Sequence, residues 1–326
     1  MSAEPETAKK WGPVRFLRDL FPATSGLPGW VCVGHTDPHS QLRVSLEMPD
    51  REVDITRNHA IVALRPLTIA TGAPPPDAPS GARPWMVIRE PAADGRILGR
   101  IRLRLFRTIA AGGTSVCLFR TEQSHDFCAP VVHRQITCLL ERWRMSRDKN
   151  PRNIHMVPSE LFSTWILYDV PRPVLLVSYG DMARVNMFPM DLLGPLSDGW
   201  FVLGLHAGSP ALEIWRQSRR IAVSAVPLRW KSSVYLMGKN HRDPYLDPAA
   251  LPISCVPSTT WRIPVPEAAL SVRELRIEQS LNLESHVLFV AGTETLDTRA
   301  SEPQMCHIHK FYQQFLMRRN RALPSI

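Results

Sequence analysis

The sequence predicts a mainly β protein, and three observations carry that reading. First, its apolar runs are short and punctuated. Residues 174–178, 200–205, 221–225 and 287–290 are apolar stretches bounded by Gly, Asp, Ser or Pro, the signature of strands closed by turns. Second, other stretches alternate. Leu42, Val44 and Leu46 oppose Arg43 and Ser45, and Ile101, Leu103 and Leu105 oppose Arg102 and Arg104, as in half-buried strands. Third, one segment has a strong helical period. Val132, Ile136, Leu139, Leu140 and Trp143 recur at three- and four-residue spacing within 129–147, which predicts a helix with one apolar face.

The 326 residues, 44% of them apolar, suit one large or two ordinary domains. In order, 1–27 reads as a tail with a short amphipathic helix over 11–21, formed by Trp11, Val14, Leu17, Leu20 and Phe21. Residues 28–122 read as a smaller β-rich domain of unassigned role. Gly112 and Gly113 turn the alternating strand back on 115–119, and the Pro/Gly-rich stretch 72–84 reads as a loop. Residues 123–152 form a helical connector, stopped by Asn150 and Pro151. Residues 153–320 form the second domain and 321–326 a tail, and the stretch 317–326 reads as basic and mobile. Within that domain 272–279 and 286–294 read as strands, 228–257 as loop-rich, and 305–315 as a last strand or helix.

The net charge is +9 and the isoelectric point about 9.6. Such a surface attracts phosphorylated cofactors or nucleic acid. The chain has no block of basic residues, no zinc-finger spacing and no aromatic RNA-binding motif, which argues against nucleic acid. No uncharged apolar run approaches the roughly 18 residues that a membrane helix needs. No apolar segment follows Lys9 and Lys10 as a secretory signal requires. Cys32, Cys117, Cys128, Cys138, Cys255 and Cys306 are scattered without CxxC pairs, as expected of a reducing compartment. A cytoplasmic location is therefore expected. His125, Cys128, His133 and Cys138 match no structural-zinc spacing, and in the cluster Cys306, His307 and His309 the two histidines would share a strand face and read as a surface pair. No metal site is expected.

The order of pieces in 171–225 resembles the flavin reductase-like family, the FMN-binding split β-barrels. Members run from a Pro-Val-x-x-Val strand into an Asn- or Gly-led segment, then a Leu-Asp-like turn and an apolar strand. A short loop and helix and a further apolar strand follow. The corresponding pieces here are 173–178, 186–193, 196–198, 200–205, 208–215 and 221–225. The resemblance continues to about Arg319, roughly half the chain. It implies a split barrel of about six strands over 153–320 and FMN, or FAD, as cofactor, with NAD(P)H as co-substrate passing a hydride to the flavin. It also implies a homodimer with its sites between subunits, and an oxygenase as a recipient of reduced flavin. The alternative is a non-catalytic flavin- or heme-type binding or scaffold protein on a degenerate barrel.

Residue by residue, the resemblance places the flavin ring and ribityl chain along Asn186, Met187, Phe188, Pro189, Met190 and Asp191. It places the phosphate at Gly208 and Ser209, and basic residues beside the cofactor at Lys239, His241 and Arg242. Ser209 and Pro210 also read as a helix start in their own right, with a hydroxyl at the cap and proline at the first helical position. The free N–H groups there favour an anion. Two positions depart from the family pattern. Pro189 has no N–H to donate, and the Asp191 carboxylate repels a phosphate unless a cation intervenes. No side chain is assigned as catalytic, because the redox chemistry would belong to the flavin.

Overall fold

The computed structural model describes residues 29–72, 81–92, 95–112, 114–148, 154–196 and 199–325. The helix expected over 11–21, most of the 72–84 loop, the stop at Asn150 and Pro151 and the end of the 196–198 turn lie outside them. The first half contains β1 (Trp30–His35), β2 (Arg43–Glu47), β3 (Glu52–Asp54), β4 (His59–Leu64), β5 (Leu67–Gly72), β6 (Trp85–Arg89), β7 (Ile97–Ala111) and β8 (Thr114–Asp126). Two helices follow, α1 (Val131–Arg147) and α2 (Pro158–Leu167). Next come β9 (Arg172–Pro173), β10 (Leu175–Gly180), β11 (Val185–Met190), β12 (Leu193–Pro195) and β13 (Trp200–His206). The chain continues through α3 (Ala211–Ser218), β14 (Arg220–Ala225), α4 (Lys231–Leu236) and a 3-10 segment, Met237–Arg242. It ends with β15 (Cys255–Pro257), β16 (Pro264–Pro266), β17 (Ser271–Leu283), β18 (His286–Thr298), β19 (Gln304–His309) and α5 (Lys310–Met317).

The fold is mainly β, and its strand pairs are antiparallel. Among the described residues the strands form two seven-stranded sheets and two smaller ones. The first large sheet has the order β3-β2-β6-β7-β8-β5-β4. The alternating stretch 101–106 lies in β7, which pairs with β8 across a turn at Gly112, where φ is +50°. The second has the order β11-β10-β14-β17-β18-β13-β12 and curls into a half-barrel. It has seven strands rather than about six, because the short β12 extends the edge beyond β13. Tyr179, Phe188, Phe201 and Phe289 fill its interior, and α3 closes one end by burying Trp215 completely. The Trp215 indole stacks on Phe188, with ring centroids 6.4 Å apart and planes 4° apart, and meets Phe289 at 5.2 Å.

The boundary between 28–122 and 153–320 is crossed in both directions. β1 pairs with β19, which also pairs with β9, so residues 30–35 join the C-terminal half. Conversely, α2 buries Leu161, Trp165, Ile166 and Leu167 in the core of the first sheet. The two large sheets also share a core of Ala60, Val62, Ala70, Leu118, Val202, Leu288 and Val290. Small residues on β4 and β5 let the backbones approach. A Cβ placed on Gly204 would lie 2.0 Å from the Val62 carbonyl oxygen. Gly204→Ala should therefore force the sheets apart and cost about 2 kcal/mol, the usual range for overpacking. Urea unfolding midpoints of the two proteins measure this, and equal midpoints would refute the tight spacing.

Two expectations need correction. Helix α1 forms, but its apolar stripe is not its buried face. Val132 is 60% exposed, Leu139 62% and Trp143 37%, while Thr137 and Cys138 are buried. The helix meets the core through its small side chains, since Cys138 is the α1 residue in that apolar cluster. The C-terminal tail is not loose either. The Leu323 side chain is buried, its N–H and carbonyl pair with the Gln313 amide, and Gly34 donates to the Pro324 carbonyl. All six cysteines are free. Among the described residues no helix is long and apolar enough to cross a membrane.

Candidate functional site

A cavity of about 260 Å³ opens where the end of β11, the end of β13 and the 3-10 segment converge. Its walls are Phe188, Pro189 and Met190 from β11, Asp191 and Leu192 beyond it, and Gly204, Leu205 and His206 from β13. Gly208, Ser209, His241 and Arg242 complete the lining, and with Asp191 and His206 the last three form its polar part. Of the eleven residues expected at a cofactor site, eight meet here: Phe188, Pro189, Met190, Asp191, Gly208, Ser209, His241 and Arg242.

Three do not line it. Asn186 is fully buried, and its amide donates to the Tyr179 hydroxyl at 3.2 Å, the Asn240 carbonyl at 3.0 Å and the Asp243 carbonyl. Asn240 in turn donates to the Met187 carbonyl at 2.9 Å. Together these bonds staple the 3-10 segment to β11 and hold His241 and Arg242 beside the cavity. Asn186 is thus a positioning residue. Met187 faces the opposite side of β11, in an apolar cluster with Leu176, Val185 and Met237, as the two-residue alternation of a strand requires. Lys239 is exposed and does not reach the cavity.

Ser209 is held by a tight turn after β13. Its N–H donates to the His206 carbonyl at 2.9 Å, and the Gly208 N–H donates to His206 Nδ1 at 3.0 Å. The helix begins at Ala211, one residue later than the sequence suggests, with Pro210 at the cap position. Even so, the Ser209 hydroxyl accepts from the Ala211 N–H at 3.3 Å. That bond uses an oxygen lone pair and leaves the hydroxyl proton free to donate.

Asp191 departs furthest from expectation. Its Oδ2 accepts from the Tyr168 hydroxyl at 3.0 Å and contacts His307 Nδ1 at 2.8 Å. The other ring nitrogen, Nε2, lies 2.9 Å from the Tyr235 hydroxyl. A buried arginine, Arg172, adds its charge. Burial opposes ionisation of Asp191, but the His307 bond and charge, the Tyr168 bond and the Arg172 charge outweigh it and hold the carboxyl below its ordinary range. The negative charge on the cavity wall therefore comes with its own positive partners. The sequence reading missed His307, Tyr235 and Tyr168 as partners of Asp191. His307 is 116 residues away, so only the pairing of β19 with β9 brings it near. His206 was also missed. It faces His286 at 5.9 Å, whose imidazole is pushed down to about 4 by burial and by His206.

The cavity sets the Ser209 hydroxyl and the basic side chains of His241 and Arg242 against apolar walls from Phe188, Pro189, Met190, Leu192 and Leu205, the mix of a few polar groups and apolar surface common to ligand pockets.

Comparison with known proteins gives the following. No family model and no curated protein matches the chain. Solved structures do match, over less than half of the chain. The FMN-binding protein of Thermus thermophilus, solved with p-hydroxybenzaldehyde, is 22% identical, with 40% of this chain and 73% of that one covered and a TM-score of 0.35. The NADH:FAD oxidoreductase of Streptomyces globisporus C-1027 is 13% identical over 49% of this chain and 95% of its own, with a TM-score of 0.41. The flavin reductase component of a bacterial two-component tryptophan halogenase is 14% identical over 46% and 92%, with a TM-score of 0.40. The three are named as an FMN-binding protein, an NADH:FAD oxidoreductase and a flavin reductase component.

Proposed function

We propose that the 260 Å³ cavity binds FMN and that the chain is a flavin reductase-like oxidoreductase using NAD(P)H. The observation that carries this reading is the convergence of eight residues, chosen from the sequence alone, on one cavity. Bound flavin would supply the acceptor for a hydride from the nicotinamide. The chain's own residues bind and orient. Ser209 donates its hydroxyl to the phosphate, and Arg242 and His241 neutralise its charge. Phe188, Met190 and Leu205 exclude water from the ring. Asp191, held ionised by His307 and Tyr168, leads through His307 to the Tyr235 hydroxyl, a hydrogen-bonded path from the cavity wall toward an exposed tyrosine. The resemblance further implies a homodimer and an oxygenase that takes the reduced flavin.

Fluorescence titration tests the reading. Wild type should bind FMN more tightly than riboflavin, which lacks the phosphate. Ser209→Ala and Arg242→Ala should each weaken FMN about tenfold, because a charge-assisted bond contributes roughly 1.5–3 kcal/mol and about 1.4 kcal/mol is a factor of ten. Neither change should affect riboflavin. Equal binding of FMN and riboflavin by wild type would overturn the phosphate site. Tight FMN binding without NADH or NADPH oxidation would favour the non-catalytic alternative. Light scattering that reports a monomer would remove the homodimer.

A further inference from the structure

A second cluster lies far along the chain from the cavity residues, where β8 ends and α2 stops. Asp126 closes β8, and its Oδ1 accepts from the Cys128 N–H at 2.7 Å, which curls the chain so that the thiol turns inward. Asp169 follows α2, and its Oδ2 lies 3.5 Å from the Cys128 sulfur. One ligand atom from each of the three residues falls within 4.8 Å of the others, and all three side chains are buried. Asp169 is only 1% exposed, and among the described residues the one hydrogen bond of its carboxyl group is to that thiol. No lysine, arginine or histidine among the described residues forms an ion pair with either carboxylate. Two buried carboxylates this close cannot both stay ionised unaided. Outside the cluster, the Ala129 N–H donates to Asp126 and the Cys128 thiol meets the Leu98 carbonyl at 3.8 Å.

We propose that Asp126, Cys128 and Asp169 bind a zinc ion, with its fourth position open to the cavity beside them. Mixed sulfur and oxygen donors suit zinc, whereas magnesium and calcium take oxygen alone. The 3.5 Å separation of sulfur and oxygen also suits one edge of a tetrahedron, since Zn–S of about 2.3 Å and Zn–O of about 2.0 Å at the tetrahedral angle span about 3.5 Å. A thiolate, two carboxylates and a divalent cation leave one net negative charge. Arg96 and Arg134 compensate it, since their charges act on Cys128 and Asp126 respectively. The adjoining cavity, about 580 Å³, is lined by Asp126, Cys128, Arg96, Arg134, Arg318 and Arg319. An anionic ligand would therefore complete the coordination. Of His125, Cys128, His133 and Cys138, which looked unrelated to zinc by spacing, only Cys128 enters the cluster. Its co-ligands include one 41 residues away, which no local motif reveals.

The test uses the full chain, purified without chelator and analysed for metal by mass spectrometry. Wild type should carry close to one zinc per chain, and Cys128→Ser and Asp169→Asn should each carry at least tenfold less. Cobalt added to the metal-stripped wild type should produce the near-ultraviolet sulfur-to-cobalt band, and Cys128→Ser should lack it. Asp169→Asn keeps the side-chain shape, and its circular dichroism checks that it folds. Zinc bound equally by all three proteins would overturn the assignment, as would no zinc and no cobalt band in a folded wild type. In the latter case the cluster is a proton-sharing pair, and Asp169→Asn should melt no lower than wild type. FMN binding is read separately, so failure here leaves the flavin reading untouched, and the reverse holds as well.

Discussion

Ser209→Asp should weaken FMN by at least a hundredfold and leave riboflavin unchanged. The wild-type turn presents a hydroxyl whose lone pair is used by the Ala211 N–H and whose proton is free. An aspartate can still accept from the Ala211 N–H, as the serine hydroxyl does. The local fold should therefore survive, while the sign of the site is reversed. FMN phosphate carries close to two negative charges. A unit charge about 4 Å from another costs about 4 kcal/mol at an effective dielectric near 20. Arg242 and His241 offset part of this, and about 2.7 kcal/mol already amounts to a hundredfold. The experiment is the same fluorescence titration, with Ser209→Asn as an uncharged control that should bind within about tenfold of wild type. A Ser209→Asp protein that binds FMN as tightly as wild type would place the phosphate away from this turn. The salt dependence gives an independent reading, because screening by added salt should partly restore binding to the aspartate variant.

How much of this was legible in the sequence depends on the distance over which each feature is set. Strands such as β10, β13, β14 and β18 follow from local punctuation, since Gly180, Asp181, Gly208 and Pro210 can do little but turn the chain. The polar side of the cavity was legible for the same reason. Ser209 and Gly208 form their turn with His206, three residues away at most. The staple formed by Asn186 was not, because its partners at Asn240 and Asp243 are 54 and 57 residues distant. A buried asparagine and one that touches a ligand read alike until those carbonyls are in place. Helix α1 shows the opposite failure. Its period predicts the helix correctly, but periodicity says only that one face is apolar and not that this face is buried. Asp191 combines both cases. Its position on the cavity wall follows from its place beside β11, whereas its partners come from the residue just past α2, from β9 and from β19.

Glu274→Gln should cost about 3 kcal/mol of stability at neutral pH, with a pH dependence that identifies the cause. Glu274 lies in β17 and is buried. Its Oε1 accepts from the Ser258 hydroxyl at 2.7 Å and the Trp261 N–H at 2.8 Å. Its Oε2 accepts from the Thr260 N–H at 2.9 Å and the Thr295 hydroxyl at 2.7 Å. Four donors thus converge on one carboxylate and pin the turn between β15 and β16 onto the barrel sheet. Burial opposes ionisation, but those bonds outweigh it and lower the carboxyl from its ordinary 4.5 to about 2. At about 1.4 kcal/mol per pH unit the ionised form contributes about 3 kcal/mol. Glutamine keeps one acceptor oxygen but turns an NH₂ group toward two donors, which leaves them unsatisfied. Because the folded value lies below the unfolded one, the stabilisation is fully present above about pH 4.5 and is lost as pH falls through about 2. The gap in unfolding free energy between wild type and Glu274→Gln should therefore stay constant from neutral pH to about pH 5 and narrow below it. Denaturant unfolding across that series measures it. A gap that does not change with pH would show that the variant loses packing rather than the ionised carboxylate.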